Sequence, residues 1–414
     1  MKRRSFLASA AAAAAGMGSI PLMTPKAEAQ VKSANLKITG FELWQYTGDA
    51  KRYNGYLTEE YPKGGWPKPE TELTAPTGIY LKILTDGGVE GIYGPLRGNY
   101  VSQIAGFRNI IGQNPLAIES ITDSLARGTF TEGVAALNNA LWDLKGRICN
   151  APVYQVLGGN RKTINCYATT FRMPHALDSL DQLAEAAARV KAAGFNAQKW
   201  FTTVYGPNDG AAGMEFNVNM MRVLRETCGE YYDIMIDGFH SWTTPYAQAW
   251  CKRAEQYHPR WLEEPLDPSY EIEGLAHLRQ VTSIPIATGE GRGNRWDYLN
   301  LLKADAADVF QPEPERMGIS EIIRICTLAG MYGLMVSPHF MRINVPAHIV
   351  ASQSVEVCPL VEYRHNSFLT SSYFERNPIG HNGKGQVELS DRPGFGIELD
   401  ESKIVKTEKL YPTT

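Results

Sequence analysis

The fold of this chain is decided by three short apolar runs, which are DIMIDGF at residues 233–239, RWLEEP at 260–265 and PIATGEG at 285–291. Each run ends in a carboxylate, contributed in turn by Asp237, Glu263 and Glu290. The stretches that separate the runs have the length of a helix, which is the period of a strand–helix unit rather than of an antiparallel sheet. The three runs therefore predict parallel strands whose carboxyl ends bear acidic side chains.

Five further runs extend this pattern in both directions along the chain. They are CYATT at 166–170, AQKWF at 197–201, residues 308–313, residues 333–339 and LVEYR at 360–364. The stretches between runs show helical spacing of apolar residues, for example Leu183, Ala187 and Val190. Eight strands that alternate with helices predict an α/β fold, most simply a TIM-like barrel. A doubly wound open sheet is the alternative, although it usually has fewer repeats.

Residues 34–100 follow a different pattern. The segments KITGFELWQYTG and GIYLKILTDGGVEGIYG alternate with period two, and Asp86-Gly87-Gly88 is a turn signal. A helical stretch at 133–148 follows, and residues 382–414 have the pattern of an extended segment that returns to this layer. We therefore expect a separate α+β layer built on a small antiparallel sheet.

Residues 1–29 have the composition of an export signal. Lys2-Arg3-Arg4-Ser5-Phe6-Leu7 precedes an alanine-rich stretch, and Ala27-Glu28-Ala29 is a small-x-small cleavage site before Gln30. We interpret this segment as a twin-arginine signal peptide that directs the protein to the periplasm. A membrane anchor is the alternative, but the stretch falls short of the roughly 18 strongly apolar residues that spanning requires. We expect no membrane span.

Composition limits the classes of partner. The 414 residues, of which 43% are hydrophobic, can bury a large core and indicate one large domain plus a smaller one. The formal net charge is −3, and no block of basic residues would follow a phosphate backbone, so nucleic acid is not an expected partner. The six cysteines show no C-x-x-C spacing, and buried thiols are favoured over disulfides, although export would permit disulfides.

The carboxylates at the strand ends indicate a metal site. Because the carboxyl ends of barrel strands converge on one face, Asp237, Glu263 and Glu290 would point at one place. Three converging carboxylates repel one another unless a cation lies between them, and all-oxygen ligands favour Mg²⁺. A single such residue would more often be a solvated acid or a helix cap, but three at successive strand ends predict a Mg²⁺ site.

Other strand ends carry the residues of a proton-abstracting site. Lys199 ends the second strand and His339 the seventh, so they would face each other across the barrel mouth. A substrate carboxylate bound to Mg²⁺ would have an acidified α-proton for His339 to remove. Glu313, at the end of the sixth strand, could accept a hydrogen bond from one ring nitrogen of His339 and fix its tautomer. Glu362 ends the eighth strand and could hydrogen-bond the substrate carboxylate.

This ordered set of residues resembles the enolase superfamily, specifically its mandelate racemase branch, over essentially the whole chain after the signal. The resemblance implies an N-terminal α+β capping domain at 30–155, a TIM-like (β/α)7β barrel at 156–370 and a segment at 371–414 that returns to the capping domain. The roles that it implies are Mg²⁺ ligation by Asp237, Glu263 and Glu290, a catalytic dyad of His339 and Glu313, and an electrophilic Glu362.

One departure from the family pattern bears on the reaction. The mandelate racemase pattern carries two lysines separated by one residue on the second strand, whereas this chain has Lys199-Trp200-Phe201. A racemase needs an acid/base on both faces of its substrate, and Phe201 cannot serve opposite His339. Dehydration has no such need, because His339 can remove the α-proton and then protonate the departing β-hydroxyl on the same face. Lys199 would remain a cation near the metal-bound carboxylate.

The stretch 194–210 is similar to the rhamnonate dehydratase subgroup, which implies an acid-sugar substrate, an aldonate of five or six carbons. The chain differs from that subgroup at two places. It has Gly291-Arg292 where the subgroup carries histidines, and it has Glu313 where the subgroup carries an aspartate. We therefore expect a hydro-lyase that converts an acid sugar to a 2-keto-3-deoxy acid. A racemase, an epimerase or a lactone cycloisomerase of the same superfamily is the alternative, since Lys199 could transfer a proton from its own face.

Substrate specificity is expected to come from the capping domain. Its loop 50–70 contains Arg52, Tyr53 and Trp66, whose aromatic and cationic side chains suit a polyhydroxylated anion, although an exposed loop would have much the same composition. His240 is a weaker candidate, because alternation along its strand places it on the side opposite the metal ligands. By analogy with barrel enzymes of this kind, we expect a symmetric homo-oligomer.

Overall fold

The computed structural model describes residues 35–68, 70–98, 100–126, 131–169, 179–202, 205–267, 271–339 and 342–411. The expected signal peptide lies outside the described residues, so export to the periplasm stays a prediction. The strands are β1 Ile38–Thr47, β2 Thr77–Thr85, β3 Gly91–Tyr93, β4 Thr163–Thr169, β5 Ala197–Phe201, β6 Asp233–Asp237, β7 Trp261–Glu263, β8 Ile286–Thr288, β9 Val309–Phe310, β10 Met335–Val336, β11 Leu360–Tyr363, β12 Gln386–Glu388 and β13 Lys406–Tyr411.

Helices connect most of these strands. They are α1 Ala50–Glu60, α2 Val101–Ala105, α3 Ile118–Ala126, α4 Glu132–Ile148, α5 Val153–Val156, α6 Leu180–Ala192, α7 Gly210–Cys228, α8 Thr244–Ala254, α9 Glu271–Val281, α10 Arg295–Lys303, α11 Pro314–Met331, α12 Asn344–Ser352 and α13 His365–Ser371. Short 3-10 helices lie at Tyr61–Gly64, Gly106–Ile110, Pro207–Asp209, Glu255–Tyr257 and Glu401–Lys403. In the described part of the chain, no helix combines the length and the apolar character needed to cross a membrane.

An antiparallel sheet of four strands forms the first layer, in the order β13-β1-β2-β3. Along β1 and β2, apolar partners such as Leu43 and Leu81 pair directly and are fully buried. Helix α4 packs against β2 and β3. The edge strand β13 comes from the end of the chain and pairs with β1. The separate antiparallel layer predicted from the sequence is confirmed.

Eight strands form a curled parallel sheet in the order β10-β9-β8-β7-β6-β5-β4-β11. The ends of this order also meet, because the backbone N–H of Val336 in β10 donates to the carbonyl of Val357, shortly before β11, at 2.7 Å. Helices cover the outside of the sheet; in α6, the residues predicted to face inward, such as Leu183 and Val190, are buried. All eight predicted runs overlap these strands, so the α/β class with a TIM-like barrel domain is confirmed.

The interior of the curled sheet is arranged in two layers that follow from the period-two alternation of strands. The lower layer is apolar and comprises Tyr167, Ala197, Met235, Trp261, Ala287, Val309, Met335 and Leu360. The strand-end layer lies two residues further along each strand and comprises Thr169, Lys199, Asp237, Glu263, Gly289, Gln311, Ser337 and Glu362. Every member of the strand-end layer is buried. Four of its eight members, Lys199, Asp237, Glu263 and Glu362, carry charge, whereas the lower layer carries none.

The six cysteines are free thiols. Cys149 is exposed and the other five are buried. The sulfurs of Cys326 and Cys358 lie 3.8 Å apart, which is well beyond the roughly 2 Å length of a disulfide bond.

Candidate active site

Lys199 is the centre of a buried charged cluster in the strand-end layer. Its side chain is 1% exposed, and Nζ lies 3.2 Å from Oδ2 of Asp237 and 3.4 Å from Oε1 of Glu362. Nζ also donates to Oε1 of Glu263. Strands β5, β6, β7 and β11 therefore bring one ammonium and three carboxylates to one place, as their alternation requires.

The carboxylates of this cluster are held by neutral side chains as well. Nε1 of Trp261 and Nε2 of Gln311 donate to Oε2 of Glu263 at 2.9 and 2.6 Å. Oγ1 of Thr169 donates to Oε1 of Glu362 at 2.6 Å. These bonds fix the orientation of Glu263 and Glu362. The sequence predicted that both carboxylates lie at strand ends, but it did not predict these hydrogen-bond partners.

The carboxylates of the cluster also raise one another's pKa. Burial raises the pKa of Glu263 to about 8; Lys199 opposes this rise, and Asp237 and Glu290 add to it. Burial likewise raises the pKa of Asp237 to about 6, again with Lys199 opposing and Glu290 contributing. Glu362 differs, because Lys199 and His339 outweigh its burial and hold its pKa below the usual value.

His339 lies between two carboxylates. Its Nδ1 is 2.6 Å from Oε2 of Glu313, and its Nε2 is 2.9 Å from Oε2 of Glu290. Glu313 is itself fixed as the N-cap of α11, where its other oxygen accepts from the backbone N–H of Glu315 at 3.0 Å. The contact between His339 and Glu313 that the sequence predicts is present. Because carboxylates face both ring nitrogens, both nitrogens act as donors in this arrangement.

The charges around His339 favour its protonated form. Burial alone lowers the pKa of the imidazole, but Glu290 and Glu362 outweigh burial, and the pKa lies well above its usual value. Burial would raise the pKa of Glu290, but His339 outweighs burial there, and that pKa lies well below its usual range. The two residues form a partly buried ion pair.

Phe201 forms an apolar wall on the other side of the cluster. It is the next inward-facing residue of β5 after Lys199 and is 6% exposed. Its ring centroid lies 5.5 Å from Nζ of Lys199 and 5.7 Å from the ring of Phe239. This wall offers no group that could accept or donate a proton.

Glu264 is a residue of this region that the sequence analysis missed. Its carboxylate accepts from the backbone N–H groups of Gly289 and Glu290, at 2.7 and 3.3 Å, and from Oγ1 of Thr288 at 2.8 Å. These bonds fix the loop that carries Glu290. The pair Glu263-Glu264 in the sequence could have drawn attention to Glu264. The alternation of inward-facing residues, however, predicts no role for a residue that faces away from the interior.

His240 lies beside Glu264 rather than in the strand-end layer. Nδ1 of His240 is 3.5 Å from Oε2 of Glu264 and 3.2 Å from the carbonyl oxygen of Leu266. The possible ligand atoms of His240, Glu264 and Glu271 lie within 4.8 Å of one another. Glu271 forms an ion pair with Arg292, and Glu264 accepts hydrogen bonds from the backbone. These two carboxylates therefore have partners that balance them without a metal.

The structure does not bring the three predicted capping-domain residues to the strand-end layer. Trp66 is buried and packs edge-on against Trp200 at 6.0 Å. Trp200 lies on the outer face of β5, because alternation places it opposite to Lys199. The contact that is described for Trp66 lies away from the strand-end layer, and a role of Trp66 in substrate binding stays a prediction.

The contacts of Arg52 and Tyr53 also lie away from the strand-end layer. Arg52 donates to the backbone carbonyl of Ser402. Tyr53 is 3% exposed, stacks against Tyr56 and meets Tyr373 edge-on at 4.8 Å. Neither contact involves a strand-end residue. Both residues lie in α1, so residues 50–60 form a helix rather than the predicted loop, and this helix packs on the C-terminal segment.

The strand-end donors fit a divalent cation. Asp237 and Glu263 converge on the ammonium of Lys199, so a cation already lies where these carboxylates meet. Glu290 acts electrostatically on both of them. Carboxylate oxygens are hard donors of the kind that Mg²⁺ prefers, and the excess of negative charge over the single ammonium favours a dication.

Comparison with known families agrees with this geometry. Residues 182–403 match the enolase C-terminal domain-like family, and residues 71–158 match the N-terminal domain of mandelate racemase and muconate lactonizing enzyme. The chain belongs to the enolase superfamily. Its membership of the mandelate racemase branch, which the sequence suggested, is confirmed.

Relatives of this enolase superfamily member include enzymes named for acid sugars. An L-talarate/galactarate dehydratase of Salmonella typhimurium is 29% identical, over 81% of this chain and 83% of its own length. An L-rhamnonate dehydratase of Saccharopolyspora erythraea is 30% identical, over 73% of this chain and 77% of its own length. The L-talarate dehydratase of Polaromonas sp. JS666, solved with Mg and L-glucarate, has a TM-score of 0.71 at 25% identity and covers 91% of this chain and 99% of its own. A cycloisomerase also matches.

Proposed function

We propose that this protein is a Mg²⁺-dependent acid-sugar dehydratase that forms a 2-keto-3-deoxy acid. The observation that carries the proposal is the asymmetry of the site. The His339–Glu313 pair stands on one side of the charged cluster, and the apolar ring of Phe201 stands on β5 where a second base would be needed. One acid/base suffices to remove a proton and a hydroxyl from the same face of a substrate.

Asp237, Glu263 and Glu290 would hold the metal. When bound, Mg²⁺ would stabilise negative charge on the substrate carboxylate and would balance the charge of Glu290 that now favours the imidazolium form of His339. Lys199, whose Nζ lies against Asp237 and Glu263, would contact the substrate carboxylate beside these ligands. Glu362, which lies 3.4 Å from Lys199, would donate a hydrogen bond to that carboxylate in its protonated form. A buried site of this kind strengthens such contacts because water does not screen them.

The proton steps are assigned to His339. Nε2 faces the cluster and would take the α-proton, while Glu313 holds Nδ1 and keeps the ring oriented. The C–O bond at the β-carbon then breaks, and the same Nε2 returns its proton to the departing hydroxyl, which leaves as water. The resulting enol tautomerises to the 2-keto-3-deoxy acid, so atoms and charge balance without another reactant.

The first test is a screen of the purified protein with Mg²⁺ against a panel of aldonic and aldaric acids, with semicarbazide absorbance to detect 2-keto-3-deoxy products. A product that forms with the wild type should decrease at least about a hundredfold in His339→Asn, since general acid–base catalysis contributes roughly 10²–10⁴-fold. His258→Asn is the matched control, because His258 is an exposed histidine with positive φ that asparagine also tolerates.

The same screen addresses the alternative reactions. Deuterium that enters recovered substrate from solvent, with no keto acid formed, would replace dehydration with epimerisation. Lactone opening or formation without a 2-keto product would indicate a cycloisomerase, an activity that the name of one relative carries. Activity that is equal in His339→Asn and the wild type would contradict the assignment of the base.

A further inference from the structure

Helix α11 is interrupted after its first turn, and Glu313 is the cap of that separate turn. The backbone N–H groups of Arg316 and Met317 donate to the carbonyl of Glu313 at 3.0 and 3.3 Å. Gly318 then leaves the helical conformation, with φ 71° and ψ 170°, a left-handed φ that favours glycine. Because one non-helical glycine joins the turn to the rest of α11, the body of the helix does not fix the direction of the turn.

The N-terminal domain, which contains α4, holds this turn through Asn139. Nδ2 of Asn139 donates to the carbonyl of Pro314 at 3.1 Å, and Oδ1 accepts from the backbone N–H of Ile319 at 3.1 Å. The side chain is fully buried, so no solvent competes for either bond. One amide therefore spans the interruption, and one of its bonds is made to the residue directly after Glu313.

The neighbouring Asn138 holds the part of α11 after the interruption. Its Oδ1 accepts from the backbone N–H of Ser320 at 3.1 Å, and its Nδ2 donates to Oγ of Ser320 at 2.9 Å. A Cβ atom at Gly318 would lie only 2.7 Å from Oδ1 of Asn138, so α4 passes too close for a larger residue there. Asn138 and Asn139 are adjacent and equally buried, but of the two it is Asn139 that is bonded to Pro314.

The His339–Glu313 pair forms where this turn meets the loop of His339. The backbone bonds of the barrel reach Pro312, whose carbonyl accepts from the N–H of His339 at 3.0 Å. Beyond Pro312, the N-terminal domain supplies the bond from Asn139 to Pro314. Glu313 lies between these two bonds, and its Oε2 is 2.6 Å from Nδ1 of His339. The direction of the Glu313 side chain, and with it the orientation of the imidazole, therefore depends on both domains.

We propose that Asn139 is a positioning residue for the His339–Glu313 dyad, which it serves from outside the barrel. The inference rests on the proposed function and adds to it, because it gives the N-terminal domain a part in the proton steps. A displacement of about 1 Å at a reacting group can reduce a rate by about a hundredfold. Loss of the bond to Pro314 would free the first turn of α11 to move on that scale.

Asn139→Ala and Asn138→Ala form a matched pair in the full-length protein with Mg²⁺. Each removes a buried amide from α4, so denaturation should show similar losses of stability. On an acid that the wild type dehydrates, Asn139→Ala should reduce kcat at least about tenfold and leave KM within about twofold, whereas Asn138→Ala should leave kcat within about threefold. Asn139→Ser, which keeps a hydroxyl in place of the amide, should give an intermediate kcat and serves if the alanine variant does not fold. Equal reductions of kcat in the two alanine variants would reduce Asn139 to a domain contact and overturn the inference.

A spectroscopic measurement keeps this inference distinct from the proposed function. In protein with isotope-labelled histidine and saturating Mg²⁺, a downfield imidazole N–H resonance that His339→Asn abolishes reports the hydrogen bond to Glu313. Asn139→Ala should shift or broaden this resonance, and Asn138→Ala should leave it in place, even if no panel acid is dehydrated. An unchanged resonance in Asn139→Ala would mean that other contacts fix the turn and would overturn the inference. A wild type without the resonance would overturn it too, since no fixed dyad would exist for Asn139 to hold.

Discussion

Two histidines, nine residues apart in sequence, lie in opposite environments. His339 faces Glu313 and Glu290 with its two ring nitrogens, and these charges keep its pKa well above the usual value. His348, in α12, accepts a hydrogen bond from the backbone N–H of Tyr154 at 3.0 Å and packs between the rings of Tyr154 and Phe395. Burial lowers its pKa to about 3.

The difference shows where this molecule accepts buried charge. Around His348 the polar group is neutral and is satisfied by backbone atoms, which is the inexpensive way to bury an imidazole. In the strand-end layer, carboxylates are buried in excess of the single ammonium, and Glu290 adds to the rise that burial causes in the pKa of both Asp237 and Glu263. Such an excess lowers stability unless a cation or a substrate balances it, so it marks the region that has a chemical role.

The largest expected effect comes from breaking the charged region at Lys199. Lys199→Met keeps the volume of the side chain but leaves Asp237, Glu263 and Glu362 facing one another. We expect the metal-free protein to lose about 3–5 kcal/mol of unfolding free energy, as when one partner of a buried ion pair is removed. Saturating Mg²⁺ should recover part of this loss, because the dication would replace the missing ammonium.

Chemical denaturation in EDTA measures the loss of unfolding free energy, and chemical denaturation in saturating Mg²⁺ measures how much of it is recovered. Lys191→Met is the matched control; Nζ of Lys191 donates to the backbone carbonyl of Cys228 at 2.7 Å, and losing one such bond should cost about 1 kcal/mol in either condition. A Lys199→Met protein that is as stable as the wild type without metal would show that the carboxylates are not charged together.

The sequence predicts this charged region well and its surroundings poorly. Lys199, Asp237, Glu263 and Glu362 follow from period-two register, since each comes two residues after a buried apolar side chain. Arg52 lies in α1, and Trp66 follows the 3-10 helix Tyr61–Gly64. Composition alone could not tell whether these side chains meet the mouth of the barrel, the C-terminal segment or the outer face of β5.

Strand lengths show the same limit. The run 308–313 was expected to be a strand throughout, but β9 spans Val309–Phe310. Gln311 and Glu313 continue beyond the paired segment, where the chain turns into α11 at Pro314. An apolar pattern reports which residues are buried, and it does not report where backbone pairing between strands stops.

The next largest expected effect is the pH dependence of stability that His348 causes, which tests whether this histidine is neutral where His339 is charged. Because this histidine is neutral in the folded state, the unfolded state binds more protons below its pKa of about 6.5. The stability that His348 contributes is therefore complete above about pH 6.5 and decreases as the pH falls toward its folded pKa of about 3. Between pH 7 and pH 5 we expect a loss of about 2 kcal/mol from this group.

Denaturation curves of the wild type and His348→Gln at several pH values isolate this contribution. Glutamine can still accept from the backbone N–H of Tyr154 but does not titrate in this range. The wild type should lose about 2 kcal/mol more than the variant over these two pH units. Parallel pH profiles would mean that His348 is solvated or becomes protonated in the folded protein.

The smallest expected effect concerns Glu264, which shares features of both environments, the backbone-bonded polar groups and the charged strand-end layer. Its carboxylate is buried and binds backbone N–H groups, as the ring of His348 does, yet those groups belong to Gly289 and Glu290 beside the proposed metal. Glu264→Gln weakens the acceptor and loosens this loop. We expect Mg²⁺ affinity to fall roughly tenfold, the lower limit for residues that orient a metal ligand.

Calorimetric Mg²⁺ titration measures this change, and Glu271→Gln is its control. Glu271 lies next to Glu264 but pairs with Arg292, so its loss should leave Mg²⁺ affinity within about twofold if only the loop of Glu290 matters. Equal reductions in both variants would point instead to the summed negative charge of the region. Unchanged affinity in Glu264→Gln would mean that the backbone around Glu290 is held by the barrel alone, and Glu264 would then belong with the neutral, structural polar groups.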